Sequence, residues 1–202
     1  MVEMFLNPNK TLHTCKADEC EGCAVSNKLV CHFNAKHLTL FLVFAFPLFI
    51  SAGYFVYDYN PFLLIPWIIF VLSYFGLIEI RVMCSHCPHY AEPETKFLKC
   101  WANYGSPKFW NYRPGPMSKL EKIIFFSGLF IILFPPIALL IVQGHFLSLI
   151  LYIVLLVTFK FALKRFFCER CINFACPFNV VDNVTRNAFF DKNPEIKKAW
   201  GK

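Results

Sequence analysis

Four long apolar runs constrain this chain more than any other feature of its sequence. They cover Leu38–Tyr57, Phe62–Ile80, Ile123–Val142 and Phe146–Phe167. A helix needs about 20 consecutive, mostly apolar residues to cross the hydrocarbon core of a bilayer, and each run approaches or reaches that length. A single run could be a buried helix of a soluble protein. Four runs in two closely spaced pairs predict an all-α integral membrane protein.

The composition supports lipid as the solvent for much of the chain. Of 202 residues, 57% are hydrophobic and only 16% are charged, which is unusual for a water-soluble domain. Residues 1–36 are polar and contain no apolar run of signal-peptide length, so we expect the first run to act as an uncleaved signal anchor. Glu79 is the one acidic residue within a run. Since Arg81 is two residues away, we expect Glu79 to be solvated or ion-paired.

The connectors within the two pairs predict the topology. Residues 58–61 and 143–145 are short and contain no Lys or Arg. Short connectors favour two antiparallel helical hairpins, which would associate as a four-helix bundle. All 20 Lys and Arg residues fall in the other three segments or in the helix ends that face them. Because positively charged flanks stay inside, we expect both termini on the cytoplasmic side of the cell membrane.

This topology divides the chain into five parts. We expect an N-terminal cytoplasmic Cys-rich segment at 1–36, a first transmembrane hairpin at 37–83 and a cytoplasmic Cys/aromatic loop at 84–122. A second hairpin at 123–167 precedes a cytoplasmic Cys-rich tail at 168–202. Ser118 or Met117 is expected to begin the third long helix. Short helices are expected in the tail, with Asn193 as the cap of one of them.

The ten cysteines fall into three groups, one in each expected cytoplasmic segment. Their spacings are C-x4-C-x2-C-x7-C, C-x2-C-x12-C and C-x2-C-x4-C. We interpret all ten as candidate metal ligands: Cys15, Cys20, Cys23, Cys31, Cys84, Cys87, Cys100, Cys168, Cys171 and Cys176. Together they would form a Cys-rich cytoplasmic cap on the bundle.

Metal binding is the chemistry that best fits these cysteines. Ten cysteines in a reducing compartment are poor candidates for structural disulfides. A C-x2-C pair places two thiolates on one tight turn, and thiolates suit zinc, copper(I) or iron–sulfur clusters rather than magnesium or calcium. Thiol–disulfide cycling is an alternative, although no thioredoxin-like strand–helix pattern surrounds either pair. His32, His86 and His89 lie beside cysteines and are candidate further ligands or hydrogen-bond donors.

A short internal repeat suggests how the cysteines combine. The pattern R-x2-C-x2-C occurs at the exits of the second and fourth runs, beginning at Arg81 and Arg165. Two related hairpins would bring these turns together. The predicted four-thiolate sites are then Cys84, Cys87, Cys168 and Cys171 for one, and Cys15, Cys20, Cys23 and Cys31 for the other. Cys100 and Cys176 remain as a further pair or as alternative ligands.

The spacings leave two cofactors open, iron–sulfur clusters or Zn²⁺. Paired C-x2-C turns are typical of tetrahedral zinc, and the same thiolates can hold a cluster. Cys87-Pro88 and Cys176-Pro177 partly match the Cys-Pro end of bacterial cluster motifs, which favours iron–sulfur slightly. Haem is not expected, because no histidine lies within an apolar run.

Three functions are compatible with a Cys-rich membrane protein of this kind. The first is electron transfer, as a subunit or partner of a membrane redox system that includes a quinone or a redox protein. The second is a structural zinc-binding scaffold or assembly subunit without catalysis. The third is metal transfer, which the absence of cysteines inside the runs disfavours. Besides the lipid bilayer and a redox partner, we expect no nucleic acid partner, and no substrate site of an enzyme is evident.

Overall fold

The computed structural model describes residues 11–16 and 20–202, so part of the N-terminal segment lies outside the description. Within these ranges the chain forms seven α-helices and no strand, with isolated β-bridges only between Val30 and Cys171 and between Phe97 and Pro107. Four helical stretches are long and apolar enough to cross a membrane. This confirms the prediction of an all-helical chain with four candidate membrane spans.

The first and second spans are joined at Asn60. Helix α1 covers Ala35–Tyr59 and helix α2 covers Pro61–Ser73. After α2 the helix continues through a π-helical turn at Tyr74–Ile78 into α3 at Glu79–Val82. The second span therefore runs from Pro61 to His86 and is longer than the apolar run predicted.

The third and fourth spans are joined at Gly144 and His145. Helix α4 covers Lys119–Gln143, and α5 covers Phe146–Ala162 before a π-helical turn at Leu163–Cys168. Ser118 forms a capping box with Glu121, which confirms the predicted start of this helix. Capping satisfies backbone donors that the first helical turn leaves free.

The long helices pack as neighbours around α1. Helix α1 contacts α2, α4 and α5, and α4 also contacts α5. The Gln143 side-chain amide donates to the Asp58 carboxylate over 3.4 Å, so the two short connectors lie at the same end. The outer faces are apolar, and Phe62 and Leu147 are 82% and 73% exposed. Such exposure suits lipid contact and would be costly in water.

At the opposite end, the polar segments pack together as a Cys-rich region, comprising residues 11–16, 20–34, 83–118 and 168–202. It includes helices α6 (Asn183–Lys192) and α7 (Pro194–Ala199), which confirm the short helices predicted in the tail. Its largest core draws on all three polar segments. The buried members of this core are Leu12, Val25, Leu29, Cys87, Ile172, Phe174, Val181, Phe189, Phe190 and Ile196.

Asn193 occupies the N-cap position of α7 and Pro194 lies in the first turn, which confirms the predicted start of this helix. The Asn193 side chain makes no cap hydrogen bond and instead joins the tail to the N-terminal segment. The Thr14 hydroxyl donates to Asn193 Oδ1 over 2.8 Å, and Asn193 Nδ2 donates to the Phe189 carbonyl over 2.8 Å. A buried amide must satisfy both its donor and acceptor atoms, and the neighbours that do so are Thr14 and Phe189.

Candidate metal centre

The ten cysteines all lie within the described ranges, and none forms a disulfide. They fall into two groups, because the cysteines whose charges raise one another's pKa belong either to the middle and C-terminal segments or to the N-terminal segment. The buried group comprises the six cysteines of the middle and C-terminal segments, of which the first three named are buried and the others half-buried: Cys84, Cys87, Cys168, Cys100, Cys171 and Cys176. The N-terminal group comprises Cys15, Cys20, Cys23 and Cys31.

The buried group forms where the exits of the second and fourth spans meet. Cys84 and Cys87 lie on successive 3₁₀ turns, at Cys84–His86 and just before Pro88–Tyr90. Burial raises the pKa of Cys171 well above its ordinary value, and the charges of Cys87, Cys100 and Cys176 raise it further. Thiols from two separate segments are therefore close enough to disfavour one another's ionisation.

Backbone N–H groups lower the pKa of four thiols of the buried group. In each case the donor N–H lies one to three residues further along the chain, on the turn that follows the cysteine. The donors are His89 to Cys87; Trp101, Ala102 and Asn103 to Cys100; Asn173 to Cys171; and Phe178 and Asn179 to Cys176. Each of these bonds lowers the pKa of its thiol against the effect of burial, because it stabilises the thiolate. Two such thiols come from the middle segment and two from the tail.

Cys84 and Glu79 share a different donor, the side-chain amide of Asn103. Asn103 Nδ2 lies 3.2 Å from Cys84 Sγ and donates to it, and the Asn103 side chain also donates to the Glu79 carboxylate. Glu79 is buried, with 8% of its surface exposed. Arg81 pairs instead with Glu121, at 3.5 Å. The expectation that Glu79 is solvated or paired with Arg81 was therefore wrong.

An aromatic stack links the two segments that carry the buried group. The rings of Trp101 and Phe167 stack with centroids 4.5 Å apart, and Phe41 packs edge-on against both. Trp101 follows Cys100 in the sequence, and Phe167 precedes Cys168. Packed aromatic pairs of this kind add stability beyond the area that they bury, and this one holds the middle loop against the exit of the fourth span.

The N-terminal group lines an open cavity of about 400 Å³ together with His32 and Arg170. His32 Nε2 lies 3.4 Å from Cys20 Sγ. Burial raises the pKa of Cys31 to about 12, with further contributions from the charges of Cys20, Cys23 and Cys15. These four thiols therefore also lie near one another, in a more open setting than the buried group.

Among the described residues, His32 is the one of the three candidate histidines that contacts a thiol. His86 Nδ1 lies 3.1 Å from the Gly115 carbonyl, and its Nε2 lies 3.2 Å from the Arg113 guanidinium. His89 donates to the Val30 carbonyl, and burial lowers the pKa of His89 to about 4, assisted by the charges of His32 and Lys108. His86 and His89 thus hold segments of the Cys-rich region together.

The cysteines differ in two respects from the predicted four-thiolate metal sites. Within residues 11–16 and 20–202, no set of three or more His, Cys, Asp or Glu side chains is placed to hold one metal ion. The buried group also combines its members differently from the predicted four-thiolate site. Cys100 and Cys176 interact with Cys87 and Cys171, whereas Cys168 acts on Cys176.

Sequence reasoning missed the groups that surround the thiols. The position of a backbone N–H group cannot be read from residue types. The one local signal is the proline that follows Cys87 and Cys176, since proline favours a turn at each place. Asn103 follows Cys100 by three residues, a spacing that could have suggested a side chain turned back toward the same site. No protein-family model, no curated protein and no solved structure matches this chain.

Proposed function

We propose that this protein transfers electrons at a membrane through an iron–sulfur cluster held by the buried group, as a subunit or partner of a membrane redox system. The observation that carries the proposal is the junction of the two cysteine-bearing segments, where Asn173 donates to the Met83 carbonyl over 3.3 Å and the rings of Trp101 and Phe167 stack 4.5 Å apart. Cysteines from two distant segments are thereby brought to one place.

A bound metal would have to offset the electrostatics of the buried group. Burial raises the pKa of Cys87 and Cys171 well above the ordinary range, so free thiols would stay protonated at neutral pH. Hydrogen bonds from N–H donors would stabilise a thiolate that is bound to a metal. The metal group would supply the positive charge that makes four neighbouring thiolates compatible.

The sequence around the thiols favours a cluster slightly over a single zinc ion. Cys87-Pro88 and Cys176-Pro177 partly match the Cys-Pro end of bacterial cluster motifs.

The proposed topology places the buried group on the cytoplasmic side. Helices α1 and α2, and likewise α4 and α5, would form two transmembrane hairpins within one four-helix bundle. Their connectors lie at one end, joined by Gln143 and Asp58, and carry no Lys or Arg. The Cys-rich region would then be a cytoplasmic cap, in accordance with the positive-inside rule.

A structural zinc site is the second candidate, and the N-terminal group supports it. His32 Nε2 lies 3.4 Å from Cys20 Sγ, among three further cysteines. Mixed cysteine and histidine donors are typical of structural zinc. In this alternative the protein would be a scaffold or assembly subunit, and metal would brace its cap without electron transfer.

Electron transfer can be tested on the full-length protein purified anaerobically into lipid nanodiscs. Dithionite should bleach a visible absorption band, and a short-chain quinone should then restore it. Two reduced clusters would each release one electron, and the quinone would take up two electrons and two protons to become the quinol. A colourless protein with stoichiometric zinc, or a reduced cluster that neither a quinone nor a redox protein reoxidises, would overturn the proposal.

A further inference from the structure

The fourth span carries two lysines on its outer surface. Lys160 lies in helix α5, and Lys164 lies four residues further on, in the π-helical turn that ends at Cys168. Both lysine side chains are exposed, and Lys160 precedes Cys168 by about two helical turns. A lysine at this depth is costly in hydrocarbon, so its ammonium group must reach water or an anion at the membrane surface.

Neither lysine has a carboxylate to neutralise it. Helix α5 packs against α1, α4 and the π-helical turn Leu163–Cys168. The acidic residue of α1 is Asp58, at the opposite end of the bundle, and that of α4 is Glu121, which pairs with two arginines. Among the described residues, no ion pair includes Lys160 or Lys164. The outer surface of the fourth span therefore carries two uncompensated positive charges.

The two lysines continue an apolar face of the same helix. Four exposed residues share this face at the spacing i, i+4, i+7 and i+11, and we name them the basic stripe: Ile153, Val157, Lys160 and Lys164. Ile153 and Val157 are 44% and 62% exposed. The stripe is thus apolar toward the middle of the span and positive toward the Cys-rich region. A phospholipid presents its acyl chains and its phosphate in the same order.

We propose that the basic stripe binds one anionic phospholipid, with its phosphate between Lys160 and Lys164 and an acyl chain along Ile153 and Val157. Side chains four residues apart on a helix have Cβ atoms about 5–6 Å apart, so one phosphate can contact both ammonium groups. A lipid fits better than free phosphate because it also covers the apolar part of the stripe. This inference requires that the fourth span lie in a membrane, and it is independent of any metal.

Native mass spectrometry of the full-length protein in detergent can test the proposal. The protein would be titrated with phosphatidylglycerol and with phosphatidylcholine of identical acyl chains. We expect the wild type to bind its first phosphatidylglycerol about tenfold more tightly, because the phosphatidylcholine headgroup carries its own positive charge. Lys160→Gln/Lys164→Gln should lose this preference, and each single substitution should lose part of it. Lys160→Arg/Lys164→Arg should retain it, since both charges remain.

Arg165→Gln/Lys197→Gln is the matched control, because it also removes two positive charges. Both of these charges are already paired, Arg165 with Glu169 at 2.9 Å and Lys197 with Asp191 at 2.7 Å. The preference for phosphatidylglycerol should therefore persist in the control. Thermal unfolding in lipid-free detergent should be similar for the wild type and Lys160→Gln/Lys164→Gln, since neither lysine has an ion-pair partner to lose.

Four results would overturn the inference. The first is equal affinity of the wild type for the two lipids, and the second is an unchanged preference in Lys160→Gln/Lys164→Gln. The third is an equal loss of preference in the control, which would indicate a response to net charge alone. The fourth is release of the bound phosphatidylglycerol by excess inorganic phosphate, which would show that the apolar part of the stripe contributes nothing.

Discussion

The two groups of cysteines differ in their surroundings although they share one region of the molecule. In the buried group Cys84, Cys87 and Cys168 are buried, and the other three cysteines are partly exposed. The N-terminal group lines an open cavity, and none of its four cysteines is buried. Enclosure and backbone donors suit a permanent redox centre, whereas an open cavity with a histidine suits a more exchangeable or structural metal.

The difference shows that a count of cysteines is a poor guide to their chemistry. All ten could be ligands by residue type alone. Their burial and their neighbours distinguish the buried group from the N-terminal group. If this comparison is correct, changes in the two groups should have separable effects.

The largest expected difference is between Cys87→Ser and Cys20→Ser. Cys87 belongs to the core of the Cys-rich region and accepts the His89 N–H. We expect Cys87→Ser to lose the visible absorption and much of the stability, because metal bound by thiolates contributes about 10 kcal/mol to folding. Cys20→Ser should retain the visible absorption. Metal analysis and thermal unfolding of both variants would check this, and equal losses would show that the two groups are one site.

Gly128→Ala should disturb the buried group from within the bundle. A Cβ atom at Gly128 would overlap the ring of Tyr74, whose hydroxyl donates to the Phe125 carbonyl over 2.7 Å. Overpacking of this kind costs about 1–3 kcal/mol. Because Tyr74 begins the π-helical turn that precedes Glu79, metal retention by the buried group should fall.

Gly76→Ala provides the control for this prediction. A Cβ atom at Gly76 meets nothing within 4 Å, although the residue lies in the same π-helical turn. Thermal unfolding in detergent should rank Gly128→Ala well below Gly76→Ala. Equal stability of the two variants would contradict the packing of Tyr74 on α4.

Thr14→Val should weaken the N-terminal group selectively. The substitution leaves Asn193 Oδ1 buried without the Thr14 hydroxyl, at a cost of about 1–3 kcal/mol. Ser26→Ala, which removes an exposed hydroxyl bonded to the Cys23 carbonyl, should cost less. Chelator-induced release of metal should be faster in Thr14→Val, with the visible absorption unchanged. If the visible absorption decreases in parallel, the two groups are coupled more tightly than proposed.

The smallest expected effect is the pH dependence of the N-terminal group. Burial raises the pKa of the free Cys31 thiol from 9.0 to about 12. Metal binding must displace its proton, so affinity should rise with pH by about 1.4 kcal/mol per unit for each proton released. Competition with a chelator between pH 6 and 8 would measure this slope. A flat dependence would mean that these thiols do not bind metal.

The same pKa shift predicts how the metal-stripped protein responds to alkali. A thiol whose pKa is raised by folding stabilises the folded state fully below its unfolded value, near pH 9, and loses that contribution as the pH rises through about 12. Unfolding should therefore become easier between these values. Cys31→Ser should remove this part of the alkaline sensitivity, and an unaltered profile in that variant would contradict the burial of the thiol.

The sequence was sufficient to predict the features that depend on local composition. Hydropathy predicted all four candidate spans, and Ser118 was one of two residues predicted to begin α4. The inner end of the second span was less predictable, since α3 and a 3₁₀ turn extend it past Ile80 to His86. Such extensions depend on packing against other segments, which local patterns do not contain.

The candidate site was predictable only as a set of residue types. The spacing of Cys84 and Cys87 indicated a thiol-rich turn, but nothing local indicated that Cys100 and Cys176 would join it. Asn193 shows the same limitation, since its partner Thr14 is 179 residues away. Long-range contacts of this kind decide which ligands meet, and a single sequence does not reveal them.

The most direct test of the central claim is metal and sulfide analysis of the anaerobically purified protein, with an absorption spectrum before and after reduction. The account predicts iron and acid-labile sulfide, a brown protein and visible absorption that bleaches on reduction. It also predicts that Cys87→Ser loses this signal and Cys20→Ser keeps it. A colourless wild-type protein that contains zinc but neither iron nor sulfide would contradict the claim that this membrane protein transfers electrons.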